Sequence, residues 1–157
     1  MREALWGAPA PFDQASPFYL TIQQLATLRD AEPALRYGRF YFRPIAGDGQ
    51  HFGISSFPQG ILAFSRILVD EEVVVVANTS TSDARSFEVI VDLTLTKPGD
   101  QYRVRYSNKA TFHTPGVVQE KPAGSVSVEE AARGSGVGPL HAMRVSLAPL
   151  EVQILSR

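Results

Sequence analysis

The chain has 157 residues, 44% apolar and 20% charged, an ordinary globular composition for one domain able to bury about two thirds of its unfolded surface. Fifteen basic against sixteen acidic residues leave a net charge of −1 with no basic block, which gives nucleic acid no electrostatic footing, and no apolar run approaches the roughly 18 residues of a membrane span. Zero cysteines exclude disulfides, thiolate metal sites and a cysteine nucleophile, and leave the compartment undetermined.

Residues 1–15, with Pro9 and Pro11, have no period and read as an irregular lead-in without the apolar core and small-residue cleavage site of a signal peptide. Ser16-Pro17 is a helix start: the serine oxygen can accept an orphan backbone N–H, and proline at the first helical position has none to leave unpaired. Phe18, Ile22, Leu25, Ala26 and Leu28 then fall on one face at helical spacing. Pro33 ends that helix between Asp30 and Glu32, and "PALR" is expected to make one further tight turn.

From Tyr37 onward the period becomes two. Strands are expected at Arg39–Pro44, Gly60–Leu68, Val73–Thr79, Ser86–Asp92, Tyr102–Tyr106, Ser125–Val128, Ala142–Leu147 and Leu150–Ile154. Turns fall at Asp48-Gly49, Asp70-Glu71, Ser82-Asp83, Pro98-Gly99-Asp100 and Ala148-Pro149. Short connections favour antiparallel neighbours, so the pattern predicts a mainly β chain: an antiparallel sandwich or Greek-key barrel preceded by one helix. "EVVVVANTS" is the most apolar strand and belongs at the centre; residues 132–139, "ARGSGVGP", read as a mobile loop.

The run "SPFYLTIQQLATLRDAEPALRYGRFYFRPIAGDGQHFG", then "GILAFSRILVDEEVVVVANTS", then the closing "VSLAPLEVQIL" resembles the C-terminal portion of α-amylase family enzymes, glycoside hydrolase family 13. The resemblance runs from about Arg2 to Ile154. It implies that residues 1–36 are a lead-in loop and the last helix of a truncated catalytic (β/α)₈ barrel, and that 37–157 are domain C, an eight-stranded antiparallel Greek-key β-sandwich. It implies no chemistry in this chain, because the family's catalytic carboxylates lie on upstream barrel strands and no aspartate or glutamate here matches their motifs. A retaining glycosidase also needs two carboxyl groups about 5–5.5 Å apart in a cleft, which one helix and a sandwich do not supply.

Other chemistry-bearing residues read more plainly. Asp70, Glu71 and Glu72 read as a solvated hairpin turn, and His51, His113 and His141 as scattered surface or loop histidines without metal-ligand spacing. Ser65 and Ser107 lack a nucleophile-elbow context, and Gly134, Gly136 and Gly138 lack the lysine and helix start of a phosphate cradle. No catalytic, cofactor or metal residue is therefore assigned. Phe40 and Phe42 are expected in the sandwich core, with Tyr41 on the other face.

The leading expectation is a structural domain that stabilises or shields its parent's barrel through Phe18, Ile22, Leu25, Leu28, Tyr37 and Tyr41. The alternative is an independent starch- or α-glucan-binding module with Trp6, Phe52, Phe57 and Phe112 as stacking surfaces. An apolar helix face without its barrel either associates with another copy or folds back on the sandwich.

Overall fold

The computed structural model describes residues 13–54, 60–109, 112–129 and 138–157. Helix α1 spans Pro17–Ala31, with Ser16 Oγ accepting from the Tyr19 backbone N–H at 3.2 Å as its cap. A five-residue helix, α2, Pro33–Tyr37, follows directly, so both proline signals placed their boundaries. The lead-in to residue 12 and most of the 132–139 loop lie outside the described residues.

Among the described residues eleven strands follow: β1 Arg39–Phe42, β2 Ile45–Ala46, β3 His51–Phe52, β4 Ile61–Leu68, β5 Glu71–Asn78, β6 Arg85–Val91, β7 Gln101–Ser107, β8 Gly116–Lys121, β9 Ser127–Val128, β10 Leu140–Leu147 and β11 Val152–Ser156. Nine form one antiparallel sheet in the order β1-β4-β5-β11-β7-β8-β10-β6-β2. The sheet is curled: β7 and β8 pair only at Gln101↔Val117 and Tyr102↔Gly116, and its two arms face each other across one core. Ile61 and Ala63 of β4, Val74 and Val76 of β5 and Leu155 of β11 meet Phe87 and Val89 of β6 and Met143, Val145 and Leu147 of β10.

The eight expected strands are thus joined by three more among the described residues. Two of those missed, β2 and β3, are two residues long, too short to show a period; β8 begins on Gly116 after a proline and carries only Val117 and Val118 as apolar residues. β3 pairs with β9 in parallel as a separate two-stranded sheet, a long-range contact that short connections could not foretell. Val73–Val76 does lie in an interior strand, as its composition requires.

The register corrects the sidedness of β1. Phe42 pairs with Phe64 and Phe40 with Arg66, on the face away from the core, whereas Tyr41 pairs with Ser65 on the core side. Both phenylalanines are exposed, because β1 is an edge strand with β4 as its one neighbour and every residue of it reaches water. Alternation alone fixes which residues share a face, not which face is inward.

Candidate functional site

Two surfaces and two buried networks hold the side chains able to act. The first surface is the outer face of the β1-β4-β5-β11-β7 arm. Ala34 and Leu35 of α2, with Leu25 and Leu28 of α1, pack there on Val73, Val75, Ile154 and Tyr106. The Arg66 guanidinium reaches the Ala34 and Arg36 carbonyls at the end of α2, and Ser156 Oγ donates to Glu32 Oε1 at 3.0 Å. Gly38 permits the turn from α2 into β1, since a Cβ there would run into the Ala34 carbonyl oxygen.

The helix covers this face only in part. No residue of α1 is buried, and Phe18 is 77% and Ile22 53% exposed, with Tyr19 and Leu20 exposed beside them. The β1–β4 end also stays uncovered: Phe40 stacks on Phe64 with ring centroids 4.9 Å apart and meets Phe42 edge-on at 4.8 Å, with Leu62 exposed. Tyr37 is 69% exposed with the Arg36 guanidinium 5.1 Å from its ring centre, and Tyr41 is exposed with Arg43 at 5.7 Å. Of the six expected junction residues, Leu25 and Leu28 are thus engaged by the chain's own sheet, while Phe18, Ile22, Tyr37 and Tyr41 present apolar surface to solvent.

The acidic turn divides unexpectedly. Val69 and Asp70 make the β4–β5 turn, whereas Glu72 is 2% exposed, inside the core. Its Oε1 accepts from Ser65 Oγ at 2.6 Å and pairs with Arg43; its Oε2 accepts from the Tyr102 hydroxyl at 2.8 Å and the Asp92 backbone N–H at 2.9 Å. Four chain segments converge on one carboxylate, which offsets its desolvation. Burial, and then the charge of Glu72, push the Tyr102 hydroxyl far above its ordinary range, so it stays a donor. Burial works to raise Asp92, but hydrogen bonds from the Thr94 hydroxyl and backbone and the Arg43 charge prevail and lower it. The missed signal was alternation: Glu72 shares its face with Val74 and Val76.

Glu151 is the second buried carboxylate. Its Oε1 accepts from Ser107 Oγ and Gln153 Nε2, both at 2.8 Å, and its Oε2 from the Ala148 backbone N–H at 2.7 Å. Burial again opposes ionisation, but these bonds and nearby His113 hold the carboxyl below its ordinary value. His113, half-buried in the loop before β8, belongs to this network, and His51, paired with Asp48 at 2.6 Å, is exposed; His141 of β10 instead is buried, its Nδ1 2.7 Å from Thr96 Oγ1. No group of three or more His, Cys, Asp or Glu able to hold a metal occurs among the described residues.

The second surface is an open groove of about 350 Å³ along β8, β10 and β11, with Phe112 at its rim. Of the four expected stacking aromatics, Phe112 is 94% exposed; Phe52 is buried with Ala46, Val126, Leu140 and Ala142 and offers no face to a ligand. Its strand β3 tucks under residues 126–128, a contact invisible to local pattern. Trp6 and Phe57 lie outside the described residues.

No family model and no curated protein sequence matches the chain. Solved structures do. The debranching enzyme of Nostoc punctiforme, soaked with acarbose, superposes with a TM-score of 0.53 at 20% identity, covering 94% of this chain and 22% of that one. Its native form gives 0.48 at 21% identity over 88% of this chain and 21% of that one. A mutant isomaltulose synthase from Erwinia rhapontici, in complex with D-glucose, gives 0.48 at 16% over 92% and 18%. The chain thus spans about a fifth of the length of these enzymes. What it shares with the acarbose-soaked enzyme is a fold.

Proposed function

We propose that this chain is the non-catalytic C-terminal β-domain of an α-amylase-type glycoside hydrolase, a domain C whose curled sheet is the Greek-key sandwich of that family. Residues 1–36 would end the parent's catalytic barrel and 37–157 form the domain. The observation that carries the reading is the half-covered outer face, where a capped helix packs Leu25 and Leu28 on the sheet and leaves Phe18, Leu20 and Ile22 exposed. Docking those residues with Tyr37, Phe40 and Phe42 against a barrel would remove apolar area from water at roughly 25 cal/mol per Å², stabilising both bodies. The likeness to about a fifth of a debranching enzyme supports a domain of a larger enzyme.

Its chemistry agrees. The two buried carboxylates, Glu72 and Glu151, are saturated by hydrogen bonds inside separate networks, so neither is poised to donate or accept a proton at a substrate. The test is the reading frame upstream of residue 1, together with an assay of the chain on maltooligosaccharides. The reading expects barrel strands bearing the carboxylates upstream and no sugar release by the chain. Turnover abolished by one carboxylate substitution in this chain would overturn it.

A further inference from the structure

We propose that strand β1 is a contact through which two copies of this chain pair antiparallel, about a two-fold axis at Tyr41, so that the sheet of one copy continues into the sheet of the other. The nine-stranded sheet has two ends, and they are finished differently. At the β2 end Ile45 exchanges both backbone hydrogen bonds with Gly53 at 2.9 Å, so the chain itself closes that edge. At the β1 end no strand among the described residues lies beyond Arg39–Phe42, and all four residues are exposed.

The open edge carries defined backbone groups. The Arg43 N–H donates to the Ala63 carbonyl at 3.0 Å, and bonded positions alternate along an antiparallel ladder. Arg39 and Tyr41 therefore bond to β4, while the N–H and C=O of Phe40 and Phe42 point away from it. Protein edges are ordinarily blunted by lysine, proline, a bulge or a covering segment; β1 keeps an unbroken register with β4 and contains neither lysine nor proline. An unblunted edge is a template for another strand.

The side chains select a second copy as that strand. With the axis at Tyr41, Phe40 of each copy stands opposite Phe42 of the other and exchanges both its free bonds with it. These rings extend the outer-face cluster in which Phe40 stacks on Phe64 and meets Phe42 edge-on. Arg39 then falls beside Arg43 of the other copy, on the inner face. There Arg43 is one cation against two carboxylates, Glu72 and, at 3.9 Å, Asp92, whereas Arg39 makes no ion pair among the described residues. The unpaired cation of each copy meets the carboxylate excess of its partner, a charge match that an apolar peptide lacks.

This pairing runs in the plane of the sheet, so the outer face proposed for docking stays open above it, and the contact stands apart from the question of parentage. Four residues of strand make a small interface, below the roughly 1,200 Å² of stable complexes, so the dissociation constant is expected to be on the order of 100 μM.

The chain has no cysteine, so a single introduced one reports the contact. Tyr41→Cys places two thiols in a non-hydrogen-bonded pair with Cα atoms about 4.5 Å apart, within disulfide reach. In a glutathione redox buffer the full chain carrying Tyr41→Cys should collect as a disulfide dimer, whereas Phe18→Cys and Leu62→Cys, on the outer face, should stay largely monomeric. In the unaltered chain, hydrogen exchange at the Phe40 and Phe42 amides should slow as concentration rises, with the Tyr41 amide unchanged. Arg39→Glu should weaken dimerisation about tenfold in sedimentation equilibrium without moving the thermal midpoint. Cross-linking of Phe18→Cys as fast as Tyr41→Cys would move the association to the helix face and overturn the proposal. So would exchange at Phe40 and Phe42 that is independent of concentration, or undiminished dimerisation of Arg39→Glu.

Discussion

The two faces of the β4-β5-β11-β7 arm are made from alternate residues of the same strands, yet they are finished to different degrees. Inward, Val74, Val76 and Leu155 are fully enclosed and even the carboxylate of Glu72 finds four partners. Outward, Val73 and Ile154 are covered by the helices, while Phe40, Phe42 and Leu62 farther along the same surface stay wet. One side is a completed core. The other is a face its own helices cover in part, and that difference is what the docking proposal rests on.

Substitutions at each face sharpen the contrast. The largest effect is expected inside: Glu72→Ala leaves the buried Tyr102 hydroxyl and the half-buried Arg43 without this acceptor and should cost about 3–5 kcal/mol in urea unfolding. Gly38→Ala, at the crossing from the outer helices to the sheet, forces α2 away from Ile67 and should lower stability by about 1–3 kcal/mol. Val69→Gly should do the opposite, raising stability by about 1 kcal/mol in thermal unfolding, because a β-branched residue sits at φ 55 in the β4–β5 turn. Phe18→Ser should fall within about 0.5 kcal/mol of the parent, since the ring is already solvated.

Acid titration probes the inner networks as a set. Asp92 and Glu151 have folded-state values below their ordinary 3.8 and 4.5, so the unfolded chain binds more protons as pH falls through that range. Their contribution is complete above those values and is lost below them. Unfolding free energy should be flat from neutral pH to about pH 5 and decline through pH 4, and a rise on acidification would contradict the two networks. Asp48, lowered by the backbone N–H and side chain of His51, adds in the same direction but is exposed and screened.

The sequence showed the helix ends, the turns and the long strands because each rests on residues within a few positions: Ser16-Pro17, Pro33, Gly99, Ala148-Pro149. It showed less where the deciding contact is remote. Nothing local says that Phe40 and Phe42 face outward, that Glu72 meets a tyrosine from β7, or that Phe52 lies beneath Val128. Phe112 was visible as an aromatic in a loop, but its groove joins the adjacent β8 to β10 and β11, which are distant in the chain. Of the expected junction, helical spacing identified the apolar stripe; which turns of it the chain's own sheet would engage depended on the position of β5 and β11.

The central claim, that the outer face is built for a partner, is tested most directly by multi-angle light scattering of the chain over a wide concentration range, beside a Phe18→Ser/Ile22→Ser/Phe42→Ser variant. The account predicts a mass that rises with concentration and stays monomeric in the variant, both with the same thermal midpoint. A parent chain monomeric at every concentration, indistinguishable from the variant, would contradict it.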